Sequence, residues 1–270
     1  MKQIFEDFRW IIVSSFIIIL LLVSHNWAVK NKQELEQQHF SKMDPVIMIP
    51  GSNATQNRFD SLVILLNKKS RRKHDLLKLT VQTNNEITYS GTTNLHGKHP
   101  VIVIAFADNQ DGYSNIKKQA EWLRVALEQL IIRYHFNHFD ALGHSNGGLI
   151  YTYFLEHDAL GLGVRVQKLM TLGAPFNLNN QSITEQTQML ADFIKYRKNL
   201  PKRLEVTAVT GAQNYTTDGL VPVNSAAAEK YVFQEVVKNY TVVTVTGSNA
   251  EHSDLPQNSQ VVDLVKKTLF

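Results

Sequence analysis

The chain has 270 residues, 43% of them hydrophobic and 19% charged, with no cysteine and a formal net charge of +4. That length can enclose one sizeable core, and the apolar content excludes a disordered chain. The missing thiol excludes disulfide scaffolds, thiolate zinc sites, cysteine nucleophiles and lipid attachment through cysteine, while 28 basic against 24 acidic residues falls short of a nucleic-acid footprint.

The first element is hydrophobic. Across residues 10–23 only Ser14 and Ser15 are polar, with Lys2 and Arg9 ahead of them. This core alone has the length of a signal peptide, and a span of about 20 residues is reached by running on to Val29. Asn26-Trp27-Ala28 is a poor cleavage site, and Trp10 and Trp27 stand where interfacial aromatics bracket a span, so a retained anchor is expected, with a cleaved export signal as the other reading. Lys2 and Arg9 are matched by Lys30 and Lys32 on the far side, which leaves the orientation open. The expected organisation is an anchor or signal at 1–29, a polar tether at 30–44 and one globular domain at 45–270, held outside the cytoplasm at the cell membrane or secreted.

Strands and helices then alternate. Residues 46–49 form a short apolar run closed by Pro50-Gly51, and 101–106 is wholly apolar, as in strands buried on both faces. Between them 59–67 reads as a helix, and 76–83 with 86–89 as a hairpin about a two-residue Asn84-Asn85 turn. A stripe of Ile116, Ala120, Leu123, Leu127, Leu130, Ile131 and Tyr134 predicts a long amphipathic helix over 114–134. Strand 139–143, helix 147–156, strand 166–172 and helix 184–198 follow, the last headed by Ser182 and Glu185 at capping-box spacing. Strands at 204–210 and 242–246 and a closing helix at 260–270 complete an α/β pattern, a mostly parallel sheet covered by helices on both faces.

The chemistry is expected at the strand ends. Gly143-His144-Ser145-Asn146-Gly147-Gly148 lies where strand 139–143 hands over to a helix, and G-x-S-x-G in that context is a nucleophile elbow. The helix that follows aims its N-terminus, and the Asn146 N–H, at an oxyanion. A serine hydroxyl needs a base, and in this order of motifs the base comes last. Only His157 and His252 lie downstream. His157 sits about twelve residues along the helix that starts at Ser145, roughly 18 Å away at 1.5 Å per residue, which leaves His252, just beyond the last strand. Of the intervening aspartates, Asp158 and Asp192 belong to helices or their ends, whereas Asp218 occupies a loop after strand 204–210, where its carboxylate can hold the His252 tautomer. After the first strand, Pro50-Gly51-Ser52-Asn53-Ala54 should supply the second oxyanion N–H from Ser52, with Asn53 behind it.

The stretches Gly143 to Gly148, Asp218-Gly219-Leu220-Val221-Pro222-Val223-Asn224-Ser225 and His252-Ser253-Asp254-Leu255-Pro256-Gln257-Asn258 resemble the three signatures of the α/β-hydrolase superfamily. They most resemble its DUF915 family of bacterial cell-surface hydrolases, with the likeness running from about Pro45 to the C-terminus. That resemblance implies the α/β-hydrolase fold and a triad of Ser145, Asp218 and His252. Such proteins usually carry His-Gly after the first strand; this chain has Pro50-Gly51, which retains a backbone donor.

His96 with His99 and His135 with His138 are spaced three apart, but no carboxylate partner or H-E-x-x-H pattern accompanies them, and no metal or organic cofactor is expected. His144 should pack within the elbow without moving protons. The run Lys68, Lys69, Arg71, Arg72 and Lys73 reads as a solvated helix cap, the sharper alternative being contact with anionic headgroups or wall polymers. Residues 174–203, with Ile183, Met189, Leu190, Phe193, Ile194 and Tyr196 on one helix, would make a small cap over a fairly open site. The expected function is that of a serine hydrolase, carboxylesterase- or lipase-like, cleaving an ester or related acyl bond of a small molecule. A membrane-tethered binding protein on a retired hydrolase scaffold and an acyltransferase are the alternatives, and the partners expected are the acyl substrate and a membrane, without nucleic acid.

Overall fold

The computed structural model describes residues 2–182, 184–213, 215–247 and 249–270. It divides into residues 1–41 and 42–270 as separate units. The first is one helix, α1 (Lys2–His39), in which Ile12–His39 is long and apolar enough to cross a membrane. The helix runs on through most of the segment expected to be a tether, where Lys30–Glu34 and Lys32–Glu36 pair at i,i+4 spacing.

The second unit is built on one eight-stranded sheet in the order β3-β2-β4-β1-β5-β6-β7-β8. Its strands are β1 (Val46–Ile49), β2 (Leu76–Val81), β3 (Ile87–Gly91), β4 (Val101–Phe106), β5 (His138–His144), β6 (Arg165–Leu172), β7 (Glu205–Ala212) and β8 (Asn239–Thr246). Every neighbouring pair is parallel except β2 with β3. Every residue of β1 and β4 is buried, as their unbroken apolar runs require. Alternation along the strands divides the core in two. Ile47, Ile49, Ile102 and Ile104 face a layer completed by α3 (Tyr113–Tyr134), α4 (Asn146–His157), α5 (Gln188–Tyr196) and α7 (Lys230–Phe233). Val46, Met48, Val101 and Val103 face α2 (Asp60–Lys69) and α8 (Ser259–Leu269).

Two expectations are corrected, and two short helices were not foreseen. The hairpin turns through a three-residue loop, Thr83-Asn84-Asn85, because Asn85 takes a left-handed φ of 69° and Gln82 and Glu86 pair across the loop. The Ser182 hydroxyl does accept the Glu185 N–H, but no helix starts there. The buried Asn177 amide donates to the carbonyls of Ser182 and Glu185 and accepts the Thr187 N–H, which holds that backbone in a loop. Helix α5 therefore begins at Gln188, capped by Thr187; Ile183 lies outside the described residues. Finally, α6 (Val223–Ala227) and α7 had no periodic signal, being only five and four residues long.

Two buried carboxyls carry a pH signature. Glu229 accepts the Thr171 hydroxyl on both oxygens at 2.9 Å, and burial pushes it up to about 8; burial likewise pushes Glu156 up to about 9. A carboxyl raised in the folded state contributes stability that is complete below the unfolded value near 4.5 and is lost as pH climbs through the folded one. Glu229→Gln removes that loss, at up to about 1.4 kcal/mol per pH unit per proton. Thermal melts of parent and variant are therefore expected to diverge between pH 5 and pH 8.5, in the variant's favour; a constant difference would refute the assignment.

Candidate active site

The chain reverses its build direction at β1, which lies between β4 and β5, and in open parallel sheets ligands bind at the C-terminal strand ends beside such a switch. There β5 ends at His144 and α4 starts at Asn146, leaving Ser145 at φ 55° and ψ −128°. A non-glycine residue holds such a conformation only when its surroundings over-determine it. The Ser145 N–H donates to Leu172 O at 2.8 Å, its carbonyl accepts the Gly148 N–H at 3.0 Å, and glycines let the backbones close in. A Cβ on Gly143 would stand 2.4 Å from Gly148 N, and one on Gly51 would stand 2.5 Å from Ser145 Cβ.

Asp218 and His252 arrive on loops after β7 and β8. His252 Nδ1 donates to Asp218 Oδ2 at 2.7 Å, and the backbone N–H of His252 donates to Asp218 O at 2.8 Å. The other carboxylate oxygen accepts the N–H groups of Leu220 (3.1 Å) and Val221 (2.7 Å), so the turn read as Asp-Gly-Leu-Val orients the acid. Asp218 is 1% exposed and His252 8%, which shields their bond from water. With Nδ1 turned to Asp218, Nε2 is the ring nitrogen left for another partner. His252 and Ser145 line the same cavity, and no hydrogen bond joins them in this structure, a common state before substrate is bound.

His144 does more than fill the elbow. Its Nε2 donates to the carbonyl of His252 at 2.9 Å, and the two rings lie 4.7 Å apart. Burial, with His252 and Arg58 nearby, holds His144 well below its ordinary value, so it stays neutral as a positioning donor. A histidine beside the nucleophile gives no sequence signal for this backbone contact, made 108 positions away.

The loop after β1 presents Ser52 and Asn53. The Asn53 N–H is taken by Asn109 O at 3.1 Å, whereas the Ser52 N–H has no partner among the described residues. The Asn146 N–H, at the first turn of α4, has no acceptor within its helix. The Asn146 side chain donates to Ser52 Oγ at 2.6 Å and to Asp111 Oδ1 at 2.9 Å, tying the start of α4 to the loops after β1 and β4. Asp111 lies in the loop after β4 and carried no motif in the sequence.

Ser52, Asn53, Asp111, Ser145 and His252 line a cavity of about 700 Å³ whose polar walls also include Asn57, Arg58, Ser61 and Gln257. The segment 174–203 does not roof it. Met189, Leu190 and Phe193 are buried in the core, leaving the site with a minimal cap. His96, His99, His135 and His138 lie at the other end of the strands: His99 Nδ1 donates to Asp44 O, and His135 closes α3 through its backbone. Among the described residues no group of His, Cys, Asp and Glu is arranged to hold a metal.

A parallel sheet carrying a serine on a strained strand-to-helix turn, with a histidine and acid from the later loops beside it, defines an α/β hydrolase. Within that class the chain belongs to the α/β hydrolases of unknown function grouped as DUF915, whose family model matches residues 33–270. A Lactobacillus plantarum protein described as a cell surface hydrolase is 51% identical, with a TM-score of 0.78 over 85% of this chain and 92% of its own. The product of gene lin2722 from Listeria innocua is 29% identical, with a TM-score of 0.75 over 84% and 95% of the two chains. The thioesterase RedJ of Streptomyces coelicolor, at 12% identity and a TM-score of 0.51 over 86% and 92%, shares the fold. No curated protein matches the chain.

Proposed function

We propose that the protein is a serine hydrolase that cleaves an ester or related acyl bond through a covalent acyl-enzyme. The observation that carries this reading is the buried 2.7 Å bond from His252 Nδ1 to Asp218, which leaves Nε2 as the ring nitrogen to act as base in the cavity that Ser145 lines. As Ser145 Oγ attacks the carbonyl carbon, His252 Nε2 takes its proton, and Asp218 stabilises the imidazolium. The carbonyl oxygen, now an oxyanion, accepts the N–H groups of Ser52 and Asn146. Collapse expels the leaving alcohol or thiol with the proton from His252. Water, deprotonated by the same histidine, then releases the acid and regenerates Ser145.

The domain works at the cell surface in this reading, held by residues 1–29 as a retained anchor and by the helical stretch beyond as a stalk. An apolar helix long enough to span and the description of the Lactobacillus plantarum relative support that location.

The test is a fluorophosphonate probe. The parent is expected to take up one label that inhibits ester hydrolysis, and Ser145→Ala to take up none. Label persisting in Ser145→Ala, or a parent inert to both the probe and a chain-length series of esters, would return the protein to the binding class.

A further inference from the structure

From the arrangement of charge at the base of the sheet we infer a second functional surface: the strand N-termini, opposite the catalytic edge, form a docking face for an anionic lipid bilayer. The inference rests on the anchored reading of α1. Arg71, Arg72, Lys73 and Lys98 are exposed at the N-terminal ends of β2 and β4, and Arg165, Lys202 and Arg203 at those of β6 and β7. None of the seven makes an ion pair or a side-chain hydrogen bond among the described residues. Acids on the same edge face other groups: Asp140 lies 3.1 Å from Lys168, Glu205 2.6 Å from Lys238, Asp75 accepts the His96 N–H at 2.6 Å, and Asp44 lies 3.7 Å from His99 and 3.5 Å from His138. Arg71, Arg72 and Lys73 also follow the C-terminus of α2, a place that suits cations, whereas Lys98 follows β3 and Arg165, Lys202 and Arg203 lie six or more residues beyond the ends of α4 and α5.

Topology places the two clusters on either side of the point where the chain enters the domain. In the strand order β2-β4-β1-β5-β6-β7, β1 and β5 separate them, and β1 is the strand fed from the N-terminal side. The Asp44 N–H donates to Lys98 O at 2.7 Å, so the chain is already fixed to this edge two residues before β1. Ser145 stands seven residues along β5 from His138, about 23 Å from the base of the sheet. The chain therefore enters the sheet at its base, the edge opposite Ser145.

An apolar contact accompanies the charge. Leu160 is 89% exposed and borders a shallow cavity with Arg165, Lys202 and Arg203, the combination of basic rim and apolar tip that suits a headgroup interface. The catalytic cavity has the opposite character, with Asp111 at its wall and Arg58 as its one Lys or Arg among the described lining residues. Docked on its base, the enzyme presents Ser145 away from its own bilayer, toward substrates in solution or in the wall.

The test is hydrogen exchange on the full chain reconstituted into nanodiscs of phosphatidylcholine alone, or of two parts phosphatidylglycerol to three of phosphatidylcholine. Exchange at 71–75, 96–99, 160–168 and 201–205 is expected to slow several-fold in the anionic discs, with the loop at 249–257 unchanged. Half-molar salt, or replacement of all seven cations by Gln, is expected to abolish the difference. Equal exchange in both discs, or protection that survives both treatments, overturns the docking face while leaving the anchor intact. Protection by soluble polyphosphate in neutral discs, without any from phosphatidylglycerol, reassigns the face to a polyanion and overturns the proposal. A chain that enters neither disc overturns the anchor, and the docking face with it.

Discussion

Asp218→Asn is expected to lower kcat about 10³- to 10⁴-fold while leaving KM and thermal stability close to those of the parent. The asymmetry follows from the two jobs of the carboxylate. Oδ1 accepts the N–H groups of Leu220 and Val221, and an asparagine oxygen in the same place keeps both bonds. The amide nitrogen then faces His252 Nδ1 and, as a donor, forces that atom to accept. The proton moves to Nε2, which can no longer take one from Ser145, so attack fails although every heavy atom stays in place. The readouts are kcat and KM on an activated ester and the rate of fluorophosphonate labelling, beside a thermal melt. Asp218→Ala provides the contrast, because it also leaves two turn N–H groups without their acceptor and should lower the melting temperature. Retention of more than about a tenth of parental kcat in Asp218→Asn would mean that another group orients His252, and the triad would have to be reassigned.

The same residues show where sequence reading succeeded and where it stopped. Glycines around Ser145, the order of Ser145, Asp218 and His252, and the apolar runs of β1 and β4 are local or one-dimensional signals; they led to the strand-to-helix turn, to two loops that bring Asp218 and His252 into contact, and to two buried central strands. Contacts between distant loops leave no such trace. Asp111 reaches Asn146 from 35 positions away and His144 reaches the backbone of His252 across 108, and neither spacing corresponds to a helical or strand period. The start of α5 was lost for a related reason, since Ser182 and Glu185 satisfy the local capping pattern while Asn177 claims the surrounding backbone through its side chain. The apolar face of residues 188–196 was legible as amphipathic, but not which surface it would cover, and it covers the core in place of the catalytic cavity.

The largest loss of stability is expected from Gly147→Ala, a substitution that in an exposed helix would normally be favourable. Gly147 lies in the first turn of α4, and a Cβ there would stand 2.2 Å from Ile49 O, 2.9 Å from Ile49 C and 3.2 Å from Pro50 O. All three are backbone atoms at the end of β1, a central strand paired on both sides, so no rotamer change relieves the overlap. Overpacking of a core costs about 1–3 kcal/mol, and occasionally more, and the fixed backbone puts this site at the upper end or beyond, a large share of a typical 5–15 kcal/mol. Helix α4 must back away from β1 to accept the methyl, and Ser145 and the Asn146 N–H are carried with it, so labelling falls together with the melting temperature. Gly161→Ala is the control: no atom lies within 4 Å of its added Cβ, and its melt should stay within about 0.5 kcal/mol of the parent. A Gly147→Ala melt equally close to the parent would show that α4 has room to move off β1, and close seating of the nucleophile helix would then no longer explain the glycine.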